Sequence, residues 1–181
     1  MKKRYFIPLL LICALLFFFY LQEKSPQLEN KSQDLSTINL QKEKKTIRGH
    51  SMEPLLRDGE EVFALFNYYQ DNPLVRNDLV IISFKTQPQK LFVKKLVGLP
   101  DDKIEIKENK IYLNGELLKN SLNEVYLVTE KGANLLLKPL INQQIADGYY
   151  LVLSETTNPS SFDSRYFGYL EKIHILGKVI K

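Results

Sequence analysis

Hydrophobic and polar positions divide this chain of 181 residues into three parts. An uncharged apolar run extends from Tyr5 to Gln22 behind a short basic N-terminus. The following residues, 23–45, are polar and show neither sustained alternation nor a helical stripe. From residue 46 onward, short apolar segments are separated by polar turns. The pattern predicts an N-terminal segment at 1–22, a tether at 23–45 and a domain at 46–181.

The first part predicts a signal anchor that forms a transmembrane helix. Its eighteen apolar residues would rise roughly 27 Å as a helix, close to the roughly 30 Å of the hydrocarbon layer. A cleaved secretory signal is the alternative, but no pattern of small residues follows Gln22. Lys2, Lys3 and Arg4 predict a cytoplasmic N-terminus by the positive-inside rule. We therefore expect the domain on the outer face, behind a polar tether for which a short surface helix is the alternative.

The third part has the pattern of a β domain. Alternating or compact β-branched runs predict strands at 79–84, 103–107, 110–113, 149–153 and 173–176. Asn114-Gly115 is a strong signal for a two-residue hairpin turn. No segment after residue 45 sustains a helical stripe for three turns, and 120–148 predicts loops. We expect a mainly β fold, an antiparallel sheet or partly open barrel.

Charge and composition exclude several classes of function. The first 50 residues carry nine Lys or Arg against four Asp or Glu, so the net charge of +4 belongs to the N-terminal region. The rest of the chain is nearly neutral, which argues against a nucleic-acid-binding surface. Cys13 is the single cysteine, and there are only two histidines. We therefore expect no intrachain disulfide, no metal site and no cofactor.

Ser51 is the candidate nucleophile, and a serine hydroxyl needs a base to take its proton. His50 adjoins Ser51, and neighbouring side chains of an extended backbone point to opposite faces. His50 is therefore a poor candidate for the base. A Ser-His-Asp arrangement of Ser51 with His174 and Asp163 remains an alternative.

A lysine can also serve as the base when it is neutral, because burial lowers the lysine pKa from its usual value of about 10.4. Lys94 and Lys95 lie in an apolar run, 91–97. In a strand the two face opposite ways, so one is expected to point inward and the other to solvent. The pattern does not choose between them. Two surface lysines that lay their stems on apolar neighbours are the alternative.

Three segments together resemble the conserved boxes of the type I signal peptidases, the membrane-bound Ser/Lys-dyad proteases that remove signal peptides. They are GHSMEPLL at 49–56, FVKKLVGLPDDKIEI at 92–106 and SSFDSRYFG at 160–168. The run Arg76-Asn77-Asp78-Leu79-Val80 resembles a further strand entry of the family. All of them occur in the family's order behind an N-terminal apolar run.

The resemblance implies a role for each matched residue. Ser51 would be the nucleophile, with its backbone N–H in the oxyanion hole, and Lys94 the general base. Ser161 would orient the lysine, and Asp163 and Arg165 would form a supporting pair. The pair could equally have a purely structural role.

The resemblance also implies partners and a location. The substrates would be preproteins, bound through an extended segment before the cleavage site with small residues at its first and third positions. The lipid bilayer would be the second partner. The expected location is the bacterial cytoplasmic membrane, with one span and the catalytic domain on the periplasmic face.

The sequence departs from the family pattern in several places. Leu55 stands where Thr is usual, Lys95 where Arg is usual and Asp101 where Gly is usual. Residues 155–159 lack the first half of the last box. The SFDSRYFG wording is also similar to a sister group that matures pilin subunits in conjugative transfer. Pilin maturation and an inactive anchored binding module therefore stay open beside signal-peptide removal.

Overall fold

The structure is a computed structural model that describes residues 40–140 and 142–181. Within these ranges the chain forms ten strands: β1 Gln41–Thr46, β2 Glu61–Phe66, β3 Leu79–Phe84, β4 Gln87–Gly98, β5 Ile104–Lys107, β6 Lys110–Leu113, β7 Glu116–Leu117, β8 Tyr149–Leu153, β9 Leu170–Glu171 and β10 Ile175–Ile180. The helices are α1 Glu130–Leu137 and α2 Ser164–Phe167, with single 3-10 turns at Tyr68–Gln70 and Lys172–His174.

The strands form two antiparallel sheets. The larger has seven strands in the order β1-β2-β10-β3-β4-β8-β9, and the smaller has three in the order β5-β6-β7. The predicted mainly β, antiparallel fold is therefore confirmed. The large sheet is open rather than closed into a barrel, because β1 and β9 do not pair with each other anywhere in the described ranges.

Most predicted strands match observed ones, and the Asn114-Gly115 turn joins β6 to β7. The strand predicted at 173–176 is wrong in its first half. Lys172–His174 forms a 3-10 turn, and β10 begins only at Ile175. His174 Nδ1 lies 3.0 Å from the Ser83 carbonyl oxygen, which anchors this turn against the end of β3.

Several elements were not expected from the sequence, and two of them lie in regions to which it assigned another structure. Strand β1 lies largely inside the predicted tether and pairs along its whole length with β2, so the sheet begins at Gln41 rather than at residue 46. Helix α1 lies in the region expected to be loops. It is only eight residues long, and its N-terminus is capped by the Thr129 side chain, which accepts from the Gly132 N–H.

Strand β4 is central to the large sheet, between β3 and β8. One of its faces packs Leu96 against Val80 and Val152. The opposite face packs Val97 against Leu153 and the small sheet. Any side chain in the second half of β4 is therefore buried, whichever way it points.

No helix among residues 40–140 and 142–181 is long and apolar enough to cross a membrane. The predicted anchor at 1–22 lies outside the described residues.

Candidate active site

Ser51 lies exposed on the loop between β1 and β2. The loop is held from several sides. Gly49 N–H donates to Asp58 Oδ1 at 2.7 Å, and Met52 is buried in the core beneath it. The Ser51 carbonyl accepts from the Glu155 N–H at 2.8 Å, which ties the loop to the end of β8. The hydroxyl is therefore presented to solvent by a backbone that is fixed on both sides.

Lys94 is only 3% exposed and lies in the middle of β4. It makes no hydrogen bond or ion pair with any described residue. Burial lowers its pKa below the ordinary lysine value; the Asp163 carboxylate opposes this shift and Arg165 adds to it. A buried lysine without a partner is favoured in its neutral form, which is the form that accepts a proton.

Ser51 and Lys94 line the same cleft. Its volume is about 330 Å³, and most of its walls are apolar residues of β2, β3, β4 and β10: Val62, Ala64, Ile81, Val93 and Val179. No hydrogen bond joins Ser51 Oγ to Lys94 Nζ among the described residues. The tertiary structure thus brings together two residues that are far apart in the sequence, as the dyad requires.

Lys95 is also buried, at 8% exposed, so the expectation that one lysine of the pair faces solvent is wrong. Both faces of this half of β4 are covered by hydrophobic clusters. Unlike Lys94, Lys95 has a partner, because its amine forms an ion pair with the Glu155 carboxylate. Burial opposes ionisation of Glu155, but the hydrogen bonds from Lys95 and Ser121 outweigh burial and hold its pKa below the usual value. Lys95 is thereby bound as a charged structural group.

Glu155 has a role that the sequence did not reveal. In the sequence, its segment, 155–159, differs from the first half of the family's last box. Its side chain binds Lys95 and Ser121, its carbonyl accepts from Asn120 Nδ2 at 2.8 Å and its N–H binds the Ser51 carbonyl. No sequence signal pointed to this cluster, since its members come from four separate segments.

Asp163 and Arg165 form a fully buried ion pair beside Lys94. Arg165 Nη2 lies 2.7 Å from Asp163 Oδ2, and Arg165 Nε donates to Asp163 Oδ1 at 3.0 Å. Arg165 also donates to the Thr156 and Leu127 carbonyls. The pair therefore fixes the turn between β8 and α2 and also places charge near Lys94.

Ser161 lies half-buried on that same turn. Its N–H donates to the Asn158 carbonyl at 3.1 Å, and its carbonyl accepts from the Asp163 N–H at 2.8 Å. Its hydroxyl makes no hydrogen bond with Lys94 in the part of the chain that the structure describes. An orienting role for Ser161 therefore stays a prediction.

Neither histidine is placed to serve as the base. His50 is exposed and its Nδ1 lies 2.8 Å from Glu53 Oε1, a hydrogen bond that raises the His50 pKa. His174 makes its hydrogen bond with the Ser83 carbonyl and stacks near Phe84. Asp163 is occupied by Arg165, and within the described ranges it has no contact with His174. The alternative Ser-His-Asp arrangement does not form.

A family model described as signal peptidase, peptidase S26, matches residues 35–181. The chain belongs to this family. It is accordingly a serine endopeptidase, a hydrolase of the signal peptidase I type. The resemblance seen in the sequence is thereby confirmed.

Two signal peptidase relatives show how far the similarity extends. Signal peptidase IB of Staphylococcus aureus is 33% identical over 143 residues, covering 74% of this chain and 73% of the relative. Signal peptidase I V of Bacillus subtilis is 28% identical over 138 residues, covering 74% and 80%. A crystal structure of a signal peptidase I from Enterococcus faecalis covers 60% of this chain and 98% of that one, with 24% identity and a TM-score of 0.41. That weak structural overlap adds nothing to the assignment.

Proposed function

We propose that this signal peptidase removes N-terminal signal peptides from exported preproteins with Ser51 as nucleophile and Lys94 as general base. Signal-peptide removal follows from family membership. The observation that carries the dyad is the single cleft lined by an exposed Ser51 and a buried, unpaired Lys94. The relatives favour neither pilin maturation nor an inactive binding module, since both are named as signal peptidases.

The reaction follows from the chemistry of these two groups. Neutral Lys94 takes the proton from Ser51 Oγ while the oxygen attacks the carbonyl before the scissile bond. Lys94 then gives this proton to the leaving amine, and an acyl-enzyme remains. In the second half, Lys94 removes a proton from water, which attacks the ester, and returns this proton to Ser51 Oγ as the ester bond breaks.

The developing oxyanion needs hydrogen-bond donors that are already in place. The Ser51 N–H is free to serve, because it makes no hydrogen bond with any described residue. Gly49 has no side chain to contribute, and its own N–H is bound to Asp58. We assign the Ser51 N–H as one donor of the oxyanion hole.

The cleft suits an extended substrate segment. It is bordered by residues 45–49, by Gln89 and by residues 91–94, and its floor is apolar. We propose that the segment before the cleavage site lies between these borders, with small side chains directed into the limited apolar volume. The anchor at 1–22 and the bilayer would hold the enzyme beside its membrane-bound substrates, with the domain on the outer face.

The dyad is tested by Ser51→Ala and Lys94→Ala in the full chain, assayed in detergent on a purified preprotein. Each variant is expected to lose activity by a factor on the order of 10³ or more, because the two groups act as one unit. Products are identified by mass spectrometry of the mature N-terminus.

Lys90→Ala is the matched control, since Lys90 is an exposed lysine of the same strand. It should process the preprotein at the wild-type rate. Processing retained by either Ser51→Ala or Lys94→Ala would refute the dyad.

A further inference from the structure

Ser154 carries a buried hydroxyl that has no hydrogen-bond partner among the described residues. The residue is 1% exposed, directly after β8. Its backbone is fully engaged, since its N–H donates to Asp163 Oδ2 at 3.0 Å and its carbonyl accepts from the Tyr126 hydroxyl at 2.8 Å. Buried hydroxyls are almost always hydrogen-bonded, so we expect a group nearby that could bond to Ser154 Oγ.

The strand register puts Ser154 beside Lys94. Strands β4 and β8 are antiparallel, with Lys95 opposite Leu153 and Leu96 opposite Val152. Strand β8 ends at Leu153; continued by one residue, the same register would set Ser154 opposite Lys94. Residues opposite each other in an antiparallel pair project from the same face, with their Cβ atoms about 5 Å apart.

The packing agrees with this placement. Leu96 and Val152 share one hydrophobic cluster, and each lies two residues from Lys94 or Ser154 on its own strand. Side chains two apart in a strand share a face. Lys95 and Glu155, the neighbours of Lys94 and Ser154, meet each other on the opposite face.

Lys94 is the second unpaired group at this place. Its amine has no hydrogen bond to a described residue, and the charged groups that act on it are Asp163 and Arg165, which are bound to each other. By the continued register, a buried amine and a buried hydroxyl, neither with a hydrogen bond to a described residue, would lie on the same face of adjacent segments.

We propose that the Ser154 hydroxyl accepts a hydrogen bond from the Lys94 amine and is a positioning residue for the general base. The inference rests on the proposed role of Lys94 in proton transfer. Ser154 itself gains and loses no proton in the reaction; the groups that exchange protons are Ser51 Oγ, Lys94 Nζ, the leaving amine and water.

The chemistry of a neutral amine explains why such a residue is needed. The amine has two N–H donors and one lone pair, and the lone pair must point at Ser51 for proton transfer. Ser154, directly after β8, would hold one N–H. Ser161, if it orients the lysine as the resemblance implies, would hold the other. The lone pair is then left to face the cleft.

Ser154→Ala in the full chain tests this assignment through kinetics. We expect kcat to fall about tenfold, the size of one hydrogen bond to an ionisable group, with KM unchanged. The hydroxyl as acceptor stabilises the ammonium form, so its loss should move the acidic limb of the pH profile to lower pH. Ser154→Cys, with a weaker acceptor of similar size, should show smaller changes in the same direction.

Ser164→Ala is the matched control. Ser164 is an equally buried serine whose Oγ accepts from the Val152 N–H at 2.9 Å, so its loss disturbs the same strand without touching the lysine. It should lower thermal stability and leave the pH limb in place. A purely structural role for Ser154 would give this same result.

An NMR titration of Lys94 distinguishes a failure of this inference from a failure of the proposed Ser51/Lys94 dyad. In the Ser51→Ala background, the pKa of Lys94 is measured from the titration of its ¹³Cε and ¹⁵Nζ resonances, assigned with Lys94→Ala. The pKa should be lower when Ser154 is also changed to Ala or Cys. An unchanged Lys94 pKa in a folded variant would overturn the inference, whereas a failed dyad would show itself as cleavage retained by Ser51→Ala.

Discussion

At the scale of single residues, the two adjacent lysines of β4 differ in their partners. Lys95 keeps its charge beside Glu155, whereas Lys94 is buried with no hydrogen-bond or ion-pair partner among the described residues. Burial of an unpaired ammonium costs free energy, and the lysine responds by losing its proton more readily. The property that suits Lys94 to act as a base therefore also makes it a source of instability.

Lys94→Met should consequently abolish cleavage while raising the free energy of unfolding at pH 7. The pKa of Lys94 is lowered in the folded state. Between this pKa and the unfolded value of about 10.4, the unfolded chain binds more protons, so wild-type stability rises with pH. The advantage of Lys94→Met should thus shrink between pH 7 and pH 10.

Urea unfolding of both proteins at the two pH values measures this difference. A Lys94→Met protein that is less stable than wild type at pH 7 would show that the interactions of the lysine outweigh the cost of its burial.

At the scale of elements, the paired strands β4 and β8, which we call the seam, support the loop between β1 and β2 that carries Ser51. Glu155 joins the seam to the loop, because its side chain binds Lys95 while its N–H binds the Ser51 carbonyl. The ion pair lies on one face of the seam and Lys94 on the other. Neighbouring side chains of one strand point to opposite faces, so the structural ion pair of Lys95 and the proposed base Lys94 lie on different sides of β4.

Lys95→Met should therefore destabilise the protein by about 3–5 kcal/mol, because it leaves the Glu155 carboxylate buried and unpaired. The double variant Lys95→Met/Glu155→Gln removes both charges and keeps an acceptor for Ser121, so it should recover most of the loss. Urea denaturation of the single and double variants measures the effect.

Cleavage by the double variant gives a second readout. It should be retained, since Lys94 is the proposed base. A double variant that folds but does not cleave would contradict a purely structural role for the Lys95–Glu155 pair.

The elements show how far the sequence pattern reaches. The strict alternation at 110–113 predicted β6, because alternate side chains of that strand are buried. The β-branched run at 79–84 predicted β3, because both faces of that strand are buried. Strand β1 was missed since five of its six residues are exposed and polar; it is a strand only because β2 supplies its hydrogen-bond partners. His174 was assigned to a strand because its apolar neighbours alternate, although the backbone there turns.

At the scale of the whole molecule, the described domain is an open sheet in which Ser51 and Lys94 line one cleft. The proposed anchor at 1–22 would attach the protein to a membrane. We expect the full chain to sediment with membranes and to resist alkaline extraction.

A variant that lacks residues 1–22 should be released into the supernatant. Immunoblotting of the fractions measures the distribution, with an endogenous peripheral protein as the control for extraction. Retention of the shortened variant in the alkaline pellet would show that another part of the chain anchors it.

The sequence by itself determined the family, the β character of the domain and the residue types of the site. These follow from local patterns: apolar alternation, a hairpin turn and three short boxes, each readable within a few residues. The tertiary structure alone decided that both lysines are buried and that Lys95 is paired and Lys94 is not. Burial and pairing depend on which strands lie on either side of β4, and one of the two, β8, is more than fifty positions away in the chain.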